Sequence, residues 1–226
     1  VSGGNARYNR IFSLLEIRFF LCLRQNSTII FMNFNLMITD FNKILDIFID
    51  ELIPLTNVSI NNGNKIFGAF ILKKSDLNII CLGTNQETKN PLFHGEISAL
   101  FNLYETQYKN TKDYYFISSH QPCSLCLSAI TWSGFDNFYY FFPYEDTKDN
   151  FNIPHDLRIL EEVFKIKQGK YQKNNQYWQS YSIITEIKKL GRSEELSAKI
   201  TKIKDKYQNL SKIYQESKIN NNIPLN

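Results

Sequence analysis

An α/β layer structure is the fold class this sequence predicts, and three observations carry it. DYYFISSH (113–120) reads as a strand, CSLCLSAITWS (123–133) as a helix and NFYYFF (137–142) as another strand. Connections this short between strand, helix and strand imply a parallel crossover within one sheet. IFGAFILKK (66–74) and NIICLGT (78–84) read as two further strands, most simply a hairpin around the polar KKSDLN. Helical periodicity before and after these strands supplies the covering layers.

The first helix is marked by Phe41, Ile44, Leu45, Phe48, Ile49 and Leu52, with Thr39 or Asp40 as cap and Pro54 beyond its end. NNGN (61–64) signals a turn before the hairpin. The next helix runs from His94 to about Lys109, preceded by Pro91. The helix of the crossover stops near Gly134, and the apolar run Phe138–Phe142 reads as a buried strand. Trp132 is expected to pack in the core. After Pro154, Leu157, Ile159, Leu160, Val163 and Phe164 predict a further helix, and KQGKYQKNNQ (167–176) a polar loop leading to Trp178.

In the last stretch, Leu196, Ile200, Ile203, Tyr207, Leu210 and Tyr214 recur at spacings of four and three. Ser193 can cap this helix, and Glu194 and Glu195 suit its positive start. The stripe fits either a helix lying on its own domain or the seam of a homodimer. The closing NNNIPLN reads as a frayed end.

The chain has 226 residues, enough for one domain with extensions or two small ones, and its 43% apolar and 15% aromatic content is ample for a core. The net charge of +4 is too small to argue for nucleic acid by itself. Four cysteines, only two of them closely spaced, do not form a secreted disulfide framework. A reducing, cytoplasmic setting is therefore expected. Residues 1–31 include IFSLLEIRFFLCL, which is interrupted by Glu16 and Arg18 and lacks a small-residue cleavage site. The stretch is too short and too charged to span a bilayer. Either Met32 is the natural start, or the stretch is a genuine N-terminal helix.

Two short motifs carry chemistry. In FHGEISAL (93–100), His94 opens a helix and Glu96 follows two positions on; in HQPCSLC (120–126), Cys123 and Cys126 open another. Orphan N–H groups and the dipole at a helix start favour thiolates, so Cys-x-x-Cys alone fits either metal or thiol redox chemistry. If the two helices pack side by side, one imidazole and two thiolates converge. Three protein ligands leave a tetrahedral zinc an open position for water. Zinc lowers that water's pKa toward about 7, and Glu96 is placed to carry its proton. His120, on the far side of Pro122, is a poor fourth ligand.

The pair His94-x-Glu96 and Pro122-Cys123-x-x-Cys126 resembles the signature of the cytidine deaminase superfamily over about residues 36–165. The resemblance implies a three-layer α/β/α fold with a central mixed five-stranded sheet. It assigns residues 1–31 to an uncertain extension, 32–165 to the zinc deaminase domain and 166–226 to a C-terminal helical extension. It further implies one zinc ion per chain held by His94, Cys123 and Cys126. The implied reaction is hydrolytic deamination of a free nucleobase, nucleoside or nucleotide of guanine or cytosine type, with zinc-bound hydroxide as nucleophile and Glu96 as proton shuttle.

Substrate contacts implied by the same resemblance are Asn85 to the base, the backbone around Pro122, and Asp156 or His155 after the last strand. Phe93 either stacks on the base or packs the helix entry. HGEIS resembles the fungal cytosine deaminases, whereas PYEDTKDNFNIPHDLRILEEV looks more like the guanine deaminase branch. Two rival readings remain: a tRNA or single-stranded DNA deaminase drawing on the C-terminal lysines, and a non-enzymatic interaction protein that keeps the fold. Neither a P-loop nor a dinucleotide fingerprint is present, and no membrane partner is expected.

Overall fold

The structure is a computed structural model that describes residues 36–107, 110–191 and 193–225; the reading of residues 1–31 lies outside them. Ahead of the sheet, α1 (Ile38–Ile47), a π-helical turn (Phe48–Leu52) and α2 (Ile53–Asn61) follow one another without a break. The expected helix end before Pro54 is thus corrected. Proline lacks an N–H and crowds the carbonyl of the preceding turn, and the wider π-turn absorbs that misfit.

Then come β1 (Gly68–Lys73), β2 (Ile79–Thr84), α3 (Gly95–Tyr104), β3 (Tyr114–His120), α4 (Ser124–Trp132) and β4 (Asn137–Phe142). They are followed by α5 (Tyr144–Asp149), α6 (His155–Glu162), β5 (Gln179–Ser182), α7 (Ile183–Lys189) and α8 (Ser193–Ser217). The sheet has five strands in the order β2-β1-β3-β4-β5. The pairs β1–β2 and β1–β3 are antiparallel, while β3–β4 and β4–β5 are parallel. The sheet is therefore mixed, with helices on both faces.

Alternation along the strands splits the core into two layers. Ala69, Ile71, Phe116, Phe138 and Tyr140 pack against Ala99, Leu100 and Leu103 of α3 and Ile130 of α4. Phe70, Leu72, Tyr115, Ile117 and Phe141 pack against α1, the π-turn, α7 and α8. Within that second layer, Leu196, Ile203, Tyr207, Leu210 and Tyr214 of α8 are all buried. The stripe left open between cover and seam thus belongs to the core of its own chain.

Two other readings are corrected, and one stretch escapes the sequence reading. Trp132 is 92% exposed, because α4 buries only Cys126 and Ile130 and turns the tryptophan outward. The tail is tied down: Ile223 is buried, and Asn221 donates to the Gly63 carbonyl at 2.8 Å. β5 and α7 arise in a stretch that carried no strand signal, since QSYS lacks the branched residues that mark strands. No described helix is long and apolar enough to cross a membrane.

Candidate metal and proton-transfer centre

Helices α3 and α4 both begin immediately after a candidate ligand. His94 and Cys123 occupy the N-cap positions, with extended backbones (ψ 162° and 172°) that turn each side chain back over its helix start. α3 lies flush on the sheet because three glycines, Gly68, Gly83 and Gly95, meet there. A Cβ added at Gly95 would stand 2.6 Å from the Gly68 Cα, and one at Gly83 would stand 2.2 Å from the Ala99 nitrogen. Any larger side chain would lift the helix and carry His94 and Glu96 away from α4.

The flush seat brings three donor atoms together. His94 Nδ1 is 3.4 Å from Cys123 Sγ and 3.7 Å from Cys126 Sγ, and the two sulfurs are 3.5 Å apart. The cysteines are free thiols, not a disulfide. A tetrahedron with Zn–S near 2.3 Å and Zn–N near 2.0–2.1 Å has edges of about 3.6–3.8 Å, so the donor set fits a zinc ion without rearrangement. Among the described residues this trio is the one His/Cys/Asp/Glu group that could hold a metal.

The electrostatics of the trio agree with its geometry. The hydrogen bond from Cys126 holds the Cys123 thiol well below the usual range against the cost of burial, and His94 lowers it further. Burial would lower His94, but the hydrogen bond and charge of Cys123 outweigh it and raise the imidazole to about 9. Burial pushes the Cys126 thiol up, and the neighbouring Cys123 adds to it. The trio thus favours positive charge at its centre, which a dication satisfies. Cys81 stands apart, its thiol pushed up to about 12 by burial and bonded to the Ala99 carbonyl at 3.3 Å; Cys22 lies outside the described residues.

Glu96, in the first turn of α3, is 4% exposed. Its Oε1 accepts from the Ser118 hydroxyl of β3 at 2.8 Å, and its Oε2 lies 3.3 Å from Cys126 Sγ. Burial and the Cys123 charge raise its pKa, while the Ser118 bond and His94 oppose them. Here a buried carboxyl group sits beside the donor trio with its proton affinity increased.

Asn85 is fully buried and bonded at both ends of its amide. Its Oδ1 accepts from the Gly95 backbone N–H at 2.6 Å, and its Nδ2 donates to Glu87 Oε2 at 2.7 Å. The side chain thereby fixes the start of α3. Phe93, just ahead of α3, leans on Phe101 of that helix, ring centroids 6.2 Å apart. The Pro122 carbonyl accepts a short bond from the Tyr144 hydroxyl. Asp156 is half-buried in the first turn of α6 and faces the centre: burial first, then the Cys123 charge, raises its carboxyl well above the usual range. His155 points into a neighbouring cavity shared with Lys65 and Arg158. His120, apart from the trio, is enclosed by Phe67, Phe142, Phe151 and Tyr207.

Sequence reasoning missed a buried ion pair behind His94. Glu87 Oε1 is 2.8 Å from Lys65 Nζ and 3.8 Å from His94 Nε2. Both residues sit in polar loops, where periodicity carries no signal. Ser118 and Tyr144 were missed as well. The one available hint was SSH, a polar run inside an otherwise apolar strand.

Residues 45–142 match the family described as the cytidine and deoxycytidylate deaminase zinc-binding region. No curated protein matches the sequence. Among solved structures, the guanine deaminase of Bacillus subtilis is 22% identical with a TM-score of 0.46, covering 66% of this chain and 93% of its own. The guanine deaminase of Nitrosomonas europaea is 16% identical with a TM-score of 0.45, covering 69% and 80%. A dCMP deaminase from the cyanophage S-TIM5 is 16% identical with a TM-score of 0.36, covering 62% and 97%.

Proposed function

We propose, for a chain that belongs to the cytidine deaminase superfamily through its zinc-binding region at residues 45–142, that the protein hydrolytically deaminates a nucleobase-containing small molecule. The observation that carries this reading is the placement of Glu96: buried, held by Ser118, and 3.3 Å from a sulfur of the donor trio without belonging to it. A purely structural metal site needs no such carboxylate.

When bound, zinc supplies the Lewis acidity that makes water a competent nucleophile near neutral pH. His94, Cys123 and Cys126 hold the ion, and Glu87 steadies the far edge of the imidazole. Glu96 takes a proton from the attacking water and returns it to the departing amine. A C–O bond forms at the amino-bearing ring carbon, the C–N bond breaks, and ammonia leaves. The Ser118 hydroxyl keeps one carboxylate oxygen fixed, and the other, turned toward the Cys126 sulfur, exchanges the proton.

Around this centre, Asp156 reaches toward the base from α6, and Phe93 flanks the entry to α3. The Pro122 backbone, anchored by Tyr144, faces the leaving amine. Asn85 serves the site by pinning the Gly95 N–H, which sets where His94 and Glu96 stand. The test is ammonia release by zinc-loaded protein across free bases, nucleosides and nucleoside monophosphates. Turnover of at least one class is expected; none on any would overturn the reading.

A further inference from the structure

Glu87 closes on Lys65 and stands off His94. Its Oε1 is 2.8 Å from the Lys65 Nζ but 3.8 Å from the His94 Nε2, beyond the roughly 2.7–3.2 Å of a hydrogen bond. The neighbouring Oε2 accepts from the Asn85 Nδ2 at 2.7 Å and from the Lys65 backbone N–H at 3.3 Å. Glu87 and Lys65 are 3% and 7% exposed, and neither belongs to the motifs that carry the trio. A buried ion pair is a weak source of stability, because desolvating two charges cancels most of their attraction. Its place beside a metal ligand gives it another use.

The loop that carries Lys65 is itself pinned. Asn64 Oδ1 accepts from the Thr88 backbone N–H at 2.9 Å and from its hydroxyl at 3.2 Å, and Asn64 Nδ2 donates to the Ser59 carbonyl at 3.1 Å. Asn221 also fastens the Gly63 carbonyl. Lys65 therefore meets Glu87 from a fixed backbone.

Nδ1 is the His94 nitrogen that faces the two sulfurs. A histidine that ligates through Nδ1 keeps its proton on Nε2. A carboxylate that accepts a hydrogen bond from that N–H makes the ring a stronger and better-oriented donor to the metal. Glu87 is the group placed to do so, but the Lys65 ammonium draws Oε1 toward itself and balances its charge.

We propose that Lys65 is a positioning residue that holds Glu87 back from His94 and so lowers the grip of the trio on its metal. The two members of the pair then act in opposite senses: Glu87 strengthens metal binding, and Lys65 restrains Glu87. Loss of Lys65 lets Oε1 close on the Nε2–H and leaves an unbalanced negative charge beside the dication. A pair that served only to brace the two loops would weaken metal binding whichever member were removed. The inference concerns the metal ligands alone and stands whether or not the protein deaminates a nucleobase compound.

Two measurements on the zinc-loaded full chain test this. In the first, zinc affinity is determined by competition with a chelator. Glu87→Gln should weaken zinc binding about 10–100-fold, the usual worth of such a partner. Lys65→Met should tighten it about ten-fold, the gain of one charge-assisted hydrogen bond. The double variant Lys65→Met/Glu87→Gln should match Glu87→Gln alone, because Lys65 acts through Glu87. Lys65→Gln keeps a donor toward Oε1 without the charge; it too should tighten zinc, and it stands in for Lys65→Met if methionine does not fold. In the second measurement, the His94 Nε2–H resonance is followed by NMR and should move downfield in the Lys65 variants as Oε1 approaches. Zinc held no more tightly in either Lys65 variant, a Lys65 effect that persists beside Glu87→Gln, or an unmoved Nε2–H resonance overturns the proposal.

Discussion

Replacing Gly95 with alanine adds one methyl group at the tightest point between α3 and the sheet. Its Cβ would stand 2.6 Å from the Gly68 Cα and 2.8 Å from both the Gly68 nitrogen and the Phe67 carbonyl oxygen. All three are backbone atoms that cannot rotate away. Ordinary contacts lie at about 3.5–4.0 Å, so α3 must retreat by about 1 Å. Overpacking of this kind costs about 1–3 kcal/mol, and stretching the Asn85–Gly95 bond adds about 0.5–1.5 kcal/mol. The better helix propensity of alanine returns at most about 1 kcal/mol. The net expectation is a loss of about 1–3 kcal/mol in urea unfolding of the zinc-loaded protein. Because His94 and Glu96 move with the helix, turnover should fall by about 10², the usual cost of misplacing reacting groups by 1 Å. An unchanged urea midpoint together with unchanged turnover would refute the claim that three small residues set the site.

Asn85→Ala leaves the Gly95 N–H and a Glu87 oxygen without their buried partner and should cost about 1–3 kcal/mol by urea denaturation; a neutral result would remove Asn85 from its positioning role. Tyr207→Ala opens a cavity where a fully buried ring packs 5.1 Å from Phe142 and should cost about 3–5 kcal/mol. A loss below 1 kcal/mol would mean that α8 is not part of the core. His120 connects stability to acid: burial pushes its pKa from 6.5 down to about 3, so protonation favours the unfolded chain. The stability present above pH 6.5 is therefore lost as pH falls toward 3, at about 1.4 kcal/mol per pH unit. His120→Gln should flatten the curve of urea midpoint against pH by that much, and an unaltered slope would show that His120 is not held neutral.

Periodicity and turn chemistry made most of the layers legible. The crossover from Tyr114 to Phe142 could be read from two apolar strands and the helix between them. The ligand trio could be read because each half of it opens a helix, where chain geometry fixes the side chain. Pro54 misled because a π-turn, which has no sequence signature of its own, rescued a helix that should have stopped. Trp132 misled because apolar character does not determine which face of a helix turns outward. Lys65 and Glu87 are loop residues until tertiary packing brings them within reach of His94. Local pattern cannot encode such neighbours. Asn85 was noticed, but its two buried hydrogen bonds follow from where α3 lands on the sheet.

The central claim is that Glu96 moves protons and does not hold the metal, and Glu96→Gln tests it most directly. Glutamine keeps the shape of the side chain and can still accept from Ser118, but it cannot carry the proton. Zinc content per chain and ammonia release on the best substrate are measured on the same preparation. The account predicts about one zinc per chain and a rate lowered by about 10²–10⁴-fold or more, the worth of general acid–base assistance. Wild-type turnover in this variant, or loss of zinc together with activity, would contradict it.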